Sequence, residues 1–351
     1  MRTGVTALAC LSVDLLSARD ELWEQALERC PHDIYHSPRY CRVSAQVDHG
    51  MAQAVLVRRD GESLLLPFVR RELSGSLWDG TSPYGYPGPV WTGGADSHRV
   101  DEMFRAALNS LGEAGCVSLF LRMHPGLNAR WPDLAVETVA GFRSSETVYI
   151  DLTRSDREIW SDMASGHRNE INRASRRGYS VVHDHEAAYI NDFARLYRAD
   201  MARLGAHPYY CFDDEYFREI REALGADLSV VVVLYEGNVV GGALFTSRGG
   251  WLQYHLSAAD PAHRSASPAK LVIDAQRRRG QELGYRWLHL GGGRGGAKDS
   301  LFDFKAGFSS SRLTFRAGGV VLRPRDYADL VGEREQGDAA AQEVRFPAYR
   351  N

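Results

Sequence analysis

Three segments rich in apolar residues, many of them β-branched or aromatic, lie close together at residues 228–235, 239–247 and 251–256, and they are the strongest β-strand signals in the chain. The run Glu236-Gly237-Asn238 between the first two has the composition of a tight hairpin turn. Helical patterns precede these strands, and a further helix, predicted at 268–283, follows them. An antiparallel meander flanked by helices predicts a mixed α/β (α+β) fold.

The rest of the chain is also predicted to mix helices and strands. Strands at 52–58 and 63–70 are joined by Asp60-Gly61, a good hairpin signal. The remaining predicted helices are 20–29, 97–114, 156–177, 187–204 and 214–224, and the remaining predicted strands are 116–122, 147–152, 286–290 and 312–322. The two halves have a similar element order, and 351 residues are enough for two domains.

The amino-acid composition indicates which class of protein this chain belongs to. Hydrophobic residues make up 44% of the chain and charged residues 25%, which is typical of a globular protein and not of a disordered or membrane protein. The early apolar stretch at 5–16 is too short to span a bilayer. Five cysteines without a C-x-x-C spacing indicate reduced thiols. We therefore expect a cytoplasmic protein without a metal site.

The basic residues are unusual, because only three of the 42 are lysines: Lys270, Lys298 and Lys305. Lys305 lies in the segment 288–308, which is predicted to form a strand, a glycine turn and a short helix. On that helix Leu301, Phe304 and Phe308 share a stripe, and Lys305 lies beside it. A half-buried lysine next to aromatic rings can hold a phosphate or stabilise an oxyanion. The alternative is a lysine that only extends along the surface into solvent.

Two glycine- and serine-rich segments suggest ligand loops. Residues 291–296 satisfy G-x-G-x-x-G, but no acidic residue stands about twenty positions later to hold a ribose, so a dinucleotide site is disfavoured. Residues 264–269 have a spacing similar to the pyrophosphate loop of the GNAT acyltransferases. Ser267 stands where that loop has its first glycine, and Pro268 removes one N–H donor, so this loop departs from the acyltransferase pattern.

Four segments together resemble the Fem family of aminoacyl-tRNA-dependent peptidyltransferases. They are Ser-Pro-Tyr-Gly-Tyr-Pro-Gly-Pro at 82–89, the arginine-rich helix at 167–178, Ser-Pro-Ala-Lys-Leu at 267–271, and the glycine turn followed by Asp-Phe-Lys-Ala-Gly-Phe at 303–308. The resemblance covers about residues 35–325. It implies two tandem GNAT-like domains, the first at 1–150 and completed by about 312–330, the second at 151–311, with a polar tail at 331–351.

The resemblance also implies roles for individual residues. Lys305 and Phe304 would face the tRNA 3′ end and the ester carbonyl, with the substrates in a cleft between the domains. The substrate-binding residues would be Tyr84, Gly85, Tyr86, Arg168, Arg203, Tyr254, His289 and Arg294. The tRNA-binding residues would be Arg264, Lys270, Arg277 and Lys298. The family usually has an aspartate where His289 stands.

These observations predict an enzyme that forms an amide bond between an amino acid carried on tRNA and an amine of a peptide-type acceptor. The acceptor would belong to antibiotic biosynthesis or be a peptidoglycan precursor, and no cofactor beyond the aminoacyl-tRNA co-substrate is expected. Two alternatives remain open. One is an N-acyltransferase that uses acetyl-coenzyme A, and the other is a non-catalytic protein that binds tRNA or a peptide.

Overall fold

A computed structural model describes residues 11–129, 140–184, 186–335 and 346–350. The chain divides into two compact units, the first comprising Met1–Arg143 with Arg316–Asn351 and the second Ser144–Phe315. Both units combine strands and helices, so the predicted mixed α/β class is confirmed.

The first unit has a sheet with the strand order β1-β2-β3-β4-β6-β13, in which β5 also pairs with β3. Its strands are β1 (Ser12–Ser17), β2 (Met51–Arg59), β3 (Glu62–Glu72), β4 (Trp78–Thr81), β5 (Val90–Trp91), β6 (Cys116–Arg122) and the later part of β13 (Arg312–Val321). Its helices are α1 (Glu21–Arg29), α2 (Pro38–Val47), α3 (Ser97–Glu113) and α10 (Pro324–Glu335). The core contains Trp78, Phe104 and Leu119, which are all fully buried or nearly so.

The second unit has the strand order β7-β12-β11-β10-β9-β8. Its strands are β7 (Ala140–Asp151), β8 (Ser180–Asp184), β9 (Leu228–Tyr235), β10 (Asn238–Arg248), β11 (Trp251–Ala259) and β12 (Trp287–Gly291). Its helices are α4 (Asp156–Asp162), α5 (Ser165–Arg176), α6 (Ile190–Leu204), α7 (Asp214–Leu224), α8 (Pro268–Glu282) and α9 (Ser300–Ala306). The core lies around Val231, Phe245 and Leu288, all fully buried.

The two units repeat one pattern of strand pairing. In the first unit β1, β2, β3 and β4 pair antiparallel in turn, β4 pairs parallel with β6, and β6 pairs antiparallel with β13. In the second unit β8, β9, β10 and β11 pair antiparallel, β11 pairs parallel with β12, and β12 pairs antiparallel with β7. A helix precedes each parallel partner, α3 before β6 and α8 before β12, because parallel neighbours need a crossover connection. The two units therefore share one pattern of strand pairing, although β13 comes last along the chain in the first unit and its counterpart β7 comes first in the second.

The prediction of a single helix at 156–177 was wrong. The chain forms α4 and α5 instead, because Met163 and Ala164 have extended backbone, with ψ of 137° and 138°. The Ala164 amide at this break donates to the Gly307 carbonyl at 2.8 Å. A reciprocal capping box between Ser155 and Glu158 begins α4. The break brings the start of α5 to the end of α9.

The predicted tail at 331–351 lies partly outside the described residues. Of its described part, residues 331–335 continue α10. The Tyr349 hydroxyl lies 2.7 Å from the Ser118 hydroxyl, and Arg350 Nε donates to the buried Asp79 carboxylate at 2.6 Å. These contacts attach residues 349 and 350 to the first unit.

Helix α8 carries a fully buried cation, Arg277. Its guanidinium donates to Asp274 at 2.8 Å from Nε and to Asp156 at 2.5 Å from Nη1. The side chain of Arg277 is 0% exposed and that of Asp274 is 9% exposed. A buried ion pair tolerates the loss of one partner poorly, because the remaining charge has no water around it.

Replacing Asp274 by alanine is therefore expected to lower the free energy of unfolding by about 1.5–3 kcal/mol, because Arg277 keeps its bond to Asp156 but loses the charged hydrogen bond to Asp274. Urea unfolding followed by circular dichroism measures this change. Glu282→Ala is the matched control, because Glu282 pairs with Arg279 on the same helix while its side chain is 64% exposed. We expect less than about 1 kcal/mol for the control. Equal losses in the two variants would show that the buried pair has no special role in stability.

Candidate active site

The glycine-rich segment after β12 forms a tight turn that only glycine permits. A Cβ atom on Gly293 would lie 2.0 Å from the Ala297 carbonyl oxygen and 2.4 Å from Asp299 Oδ1. Gly291 has a φ of +78°, a region that other residues rarely adopt. The turn thus brings the end of β12 close to the start of α9.

Asp299 caps α9 and fixes its start. Its Oδ1 accepts hydrogen bonds from the amides of Leu301 at 3.1 Å and Phe302 at 3.0 Å, and its Oδ2 accepts from Arg294 Nε at 2.9 Å. The hydrogen bond from Arg294 lowers the pKa of Asp299 to about 2. An ionised carboxylate at the start of a helix also interacts favourably with the helix dipole.

Lys305 lies on α9 and is 9% exposed. Its Nζ donates to the Gly292 carbonyl oxygen at 2.7 Å. Burial lowers the pKa of Lys305 to about 8, from the 10.5 of an exposed lysine, and the negative charge of Asp299 opposes this shift. An ammonium has three N–H donors, and Gly292 uses one of them. At neutral pH Lys305 is therefore mostly a buried cation with donor capacity for a ligand oxygen.

His167 at the start of α5 holds the other end of α9. Its Nε2–H donates to the Phe304 carbonyl at 2.9 Å, since a carbonyl oxygen only accepts. The imidazole packs edge-on against Phe308, with ring centroids 4.7 Å apart, and a Cβ on Gly307 would lie 2.6 Å from it. Burial lowers the pKa of His167, so the ring is neutral at pH 7. Phe304, a predicted site residue, is thereby fixed beside Lys305.

A second buried lysine, Lys270, lies at the start of α8. Its Nζ donates to Glu170 Oε2 on α5 at 2.7 Å, and the Ser267 hydroxyl donates to the same oxygen. Burial alone would raise the pKa of Glu170, but the hydrogen bonds from Lys270 and Ser267 and the charge of Lys270 lower it overall. Glu170 is therefore a carboxylate at neutral pH, and Lys270 is 9% exposed.

The other predicted tRNA-binding residues differ in accessibility. Arg277 lies in the buried ion pair described above, so its side chain cannot reach a phosphate on another molecule. Lys298 has a side chain that is 66% exposed and pairs with Glu146. Arg264 is exposed in the 3-10 turn Pro261–Ala266 that precedes α8. Two of the four residues are thus accessible, while Lys270 and Arg277 serve internal ion pairs.

The predicted substrate-binding residues of the second unit lie in several different elements. On β12, His289 is buried and donates from Nδ1 to Gln253 on β11 at 2.8 Å. Tyr254, also on β11, is partly buried, and burial raises its pKa to about 12. Arg294 lies in the glycine turn with a side chain that is 75% exposed. The structure thus places Arg294 next to α9, and His289 on the strand that leads into the turn.

Arg168 and Arg203 have structural partners. Arg168 Nη1 donates to the carbonyls of Trp160 at 3.1 Å and Ser161 at 3.0 Å, and so satisfies the end of α4. Arg203 pairs with Asp200 on the exposed last turn of α6. These hydrogen bonds connect Arg168 to α4 and Arg203 to its own helix.

The predicted Tyr84-Gly85-Tyr86 loop belongs to the first unit and is firmly held there. The Tyr40 hydroxyl donates to the Tyr84 carbonyl at 2.8 Å, and the Tyr84 amide donates to a serine hydroxyl of α2 at the same distance. Gly85 has a φ of +102°, and a Cβ there would lie 2.4 Å from the Tyr35 ring. The backbone conformation of this loop therefore depends on glycine.

Sequence reasoning missed three residues that shape this region: His167, Glu170 and Ser267. Each contacts a residue far along the chain, so no local pattern indicated its role. The Asp299 cap could have been found, because aspartate directly before a short helix is a typical N-cap signal.

No group of residues that could hold a metal ion occurs in the described part of the chain. Among the same residues, no helix has the length and apolar character needed to cross a membrane.

Comparison with known proteins identifies the fold. A model of the acetyltransferase (GNAT) domain matches residues 162–305, which run from the end of α4 to Lys305. A comparison with curated proteins finds no match.

Three solved structures are similar to most of the chain. The crystal structure of FemX aligns with a TM-score of 0.69 and 15% identity, covering 90% of this chain and 99% of that one. The C-terminal domain of a putative lysylphosphatidylglycerol synthetase from Agrobacterium fabrum has a TM-score of 0.53, 14% identity and coverages of 84% and 90%. A conserved protein of unknown function from Bacteroides thetaiotaomicron has a TM-score of 0.50, 13% identity and coverages of 80% and 92%.

At these identities the similarity concerns the fold. The topology repeated in the two units agrees with the tandem arrangement that the Fem resemblance implied. The chain therefore has a Fem-like fold, and its residues 162–305 match the acetyltransferase (GNAT) domain.

Proposed function

We propose that the protein is an aminoacyltransferase that moves an amino acid from aminoacyl-tRNA to the amine of a small peptide-type acceptor. The observation that carries this proposal is the buried Lys305 ammonium, which is held against the Gly292 carbonyl beside Phe304. The Fem-like fold and the GNAT domain support an acyl-transfer reaction. The choice of tRNA as the donor rests on the Fem resemblance and on the site described below.

The reaction needs little from the protein beyond position and charge. The acceptor nitrogen attacks the ester carbonyl carbon, a C–N bond forms, and the carbonyl oxygen becomes an oxyanion. The bond to the ribose oxygen then breaks, and the proton lost by the amine ends on the ribose hydroxyl. Because an ester is converted to an amide, no covalent enzyme intermediate is required, and juxtaposing the substrates supplies much of the acceleration.

In this reaction Lys305 stabilises the oxyanion. Its ammonium is largely shielded from water. A charge interaction is stronger in such a shielded environment than in solvent. Removing one oxyanion donor typically costs about 10²–10³ in rate. His167 fixes the backbone of α9 at Phe304, the residue that precedes Lys305.

An RNA donor suits the accessible charge of the second unit. Exposed arginines lie at the end of α5 and in the turn before α8, including Arg176, Arg177 and Arg264. Phosphate contacts from such residues give affinity without sequence specificity. In this proposal these exposed arginines contact the RNA phosphates. Lys270 and Arg277 do not, because their charges form ion pairs inside the protein.

The second candidate is an N-acyltransferase that uses acetyl-coenzyme A, and the match to the acetyltransferase (GNAT) domain favours it. Such a donor would place its pyrophosphate at the start of α8. There Pro268 has no N–H to offer, and the Glu170 carboxylate already accepts from Ser267 and Lys270. This arrangement disfavours a second anion at the same place, so we prefer aminoacyl-tRNA.

The acceptor is proposed more broadly. The Tyr84-Gly85-Tyr86 loop, to which the Fem resemblance gives a substrate-binding role, has a backbone held by α2. Either a precursor in antibiotic biosynthesis or a peptidoglycan precursor would fit, and both would be met in the cytoplasm. A protein that only binds tRNA or a peptide would show affinity without product.

The first prediction concerns Lys305→Met, which keeps the length of the side chain and removes its charge. We expect aminolysis of an aminoacyl-tRNA ester by glycinamide, a simple amine, to fall about 10²–10³-fold, because the oxyanion loses its cation. The assay follows labelled amino acid from tRNA into amide product. A pool of charged tRNAs avoids assuming which amino acid is moved.

Arg218→Met is the matched control, because Arg218 is a cation of the same unit whose side chain is 60% exposed and pairs with Glu215 on α7. It should retain at least half of the wild-type rate. Binding of a 3′-aminoacylated acceptor-stem RNA should weaken with salt in both variants. Unchanged turnover in Lys305→Met would remove the lysine from the mechanism, and RNA binding with no turnover in the wild type would leave a binding protein.

The second prediction concerns pH. Because burial lowers the pKa of Lys305 to about 8, its ammonium is lost as the pH rises through about 8. If the ammonium stabilises the oxyanion, the rate falls above that pH. Deprotonation of the acceptor amine gives the opposite, rising limb at lower pH. The profile should therefore be bell-shaped, with the falling limb near pH 8.

Acceptor amines of different basicity separate the two limbs. The rising limb should shift with the pKa of the acceptor amine, and the falling limb should stay at the same pH. Competitive labelling with acetic anhydride, read by mass spectrometry on the peptide that carries Lys305, gives an independent titration of the same lysine in the native and the unfolded protein. A rate that keeps rising through pH 8 while this labelling titrates there would instead assign Lys305 as a general base.

A further inference from the structure

We propose that Glu170 is an internal anion that occupies the start of α8 and keeps phosphate groups out of it. Glu170 would then be a specificity-determining residue. Its side chain reaches from α5 to the start of α8, where two side chains donate hydrogen bonds to it.

The contacts at this place converge on one oxygen. Glu170 Oε2 accepts from Lys270 Nζ at 2.7 Å and from the Ser267 hydroxyl. Ser267 precedes α8 and has a φ of +49°, which directs the chain into the helix at Pro268. The Lys270 amide donates to the Ser267 carbonyl at 2.8 Å and closes this first turn. The donors are therefore held in place before any ligand arrives.

The buried ammonium of Lys270 needs a hydrogen-bond acceptor close to it. Lys270 is 9% exposed, and an ammonium with so little water requires an anion or strong acceptors nearby. Glu170 supplies that charge, and hydrogen bonds from Lys270 and Ser267 keep its pKa below the usual value despite burial. His167, one turn earlier on α5, is neutral because burial lowers its pKa, so it adds no positive charge to the cluster.

An ammonium, a hydroxyl and the positive end of a 15-residue helix are also the groups that bind phosphate in proteins. Glu170 and a phosphate would compete for the same donors. Because Glu170 is attached to the protein, its carboxylate acts at a high effective concentration. The Glu170 side chain is 32% exposed, so an anion from solvent could reach the donors once the carboxylate is removed.

Exclusion of phosphate from α8 would act against donors that carry a pyrophosphate, such as acyl-coenzyme A. This last step, from anion exclusion to the choice of donor, rests on the proposed function. The exclusion itself does not, because it depends only on the contacts of Glu170, Ser267 and Lys270.

The test is thermal unfolding of the full chain with increasing inorganic pyrophosphate. In chloride buffer Glu170→Ala should have a lower Tm than the wild type, because Lys270 loses its counter-charge. Pyrophosphate should raise the Tm of Glu170→Ala with a saturable concentration dependence, since it binds only the folded state. The wild type should show no such rise. A variant that responds no more than the wild type overturns the proposal.

Two controls identify the site. Sodium chloride at matched ionic strength should leave the Tm of Glu170→Ala unchanged, which separates binding from screening. The double variant Glu170→Ala/Lys270→Met should lose the response to pyrophosphate, and a retained response would place the anion elsewhere. If Glu170→Ala does not fold, Glu170→Gln is used, because it keeps the side-chain volume while removing the charge.

A titration with acetyl-coenzyme A separates this inference from the proposed function. Saturable binding to the wild type would contradict the aminoacyl-tRNA donor. If that binding were no tighter in Glu170→Ala, exclusion by Glu170 would fail as well. A pyrophosphate response confined to Glu170→Ala would support the exclusion whether or not the wild type binds RNA.

Discussion

The hydrogen bond from the Lys305 ammonium to the Gly292 carbonyl determines how the glycine-rich segment of the second unit must fold. A lysine that is 9% exposed needs a polar partner, and Gly292 can supply one only if the chain turns sharply after β12. A Cβ on Gly292 would lie 2.9 Å from the Glu146 carbonyl oxygen of β7, so the turn also packs closely against the sheet. The glycines are thus required by the approach of backbone to backbone, and no nucleotide is needed to explain them.

Helix α9, which carries Lys305, is only seven residues long and would be unstable alone. Asp299 fixes its first turn, while His167 and the Ala164 amide hold its last turn from α5. These contacts come from opposite ends of residues 162–305, the segment that matches the GNAT domain. The position of the ammonium therefore depends on the folding of that whole segment, which explains why a local motif was only a partial guide to the site.

The elements that were predicted correctly depend on local chemistry. The hairpin between β9 and β10 follows from its turn residues, and α8 follows from Pro268 in its first turn. The break between α4 and α5 was missed because its partner, Gly307, lies far along the chain. Lys270 was read as an RNA contact for the same reason: Glu170, which neutralises it, is 100 residues away. Sequence patterns indicated which residues carry charge, but distant contacts decide which charges remain available.

The two buried lysines differ in the kind of group that each ammonium contacts. Both Lys270 and Lys305 are 9% exposed, yet Lys270 faces a carboxylate and Lys305 faces a neutral carbonyl. The nearby carboxylate of Asp299 is itself engaged by Arg294 and by the amides of α9, so it does not bond to Lys305. A negative charge that develops on a substrate gains more from an ammonium that is not hydrogen-bonded to a carboxylate. Of the two, Lys305 is thus suited to stabilise a transition state, and Lys270 to hold the fold.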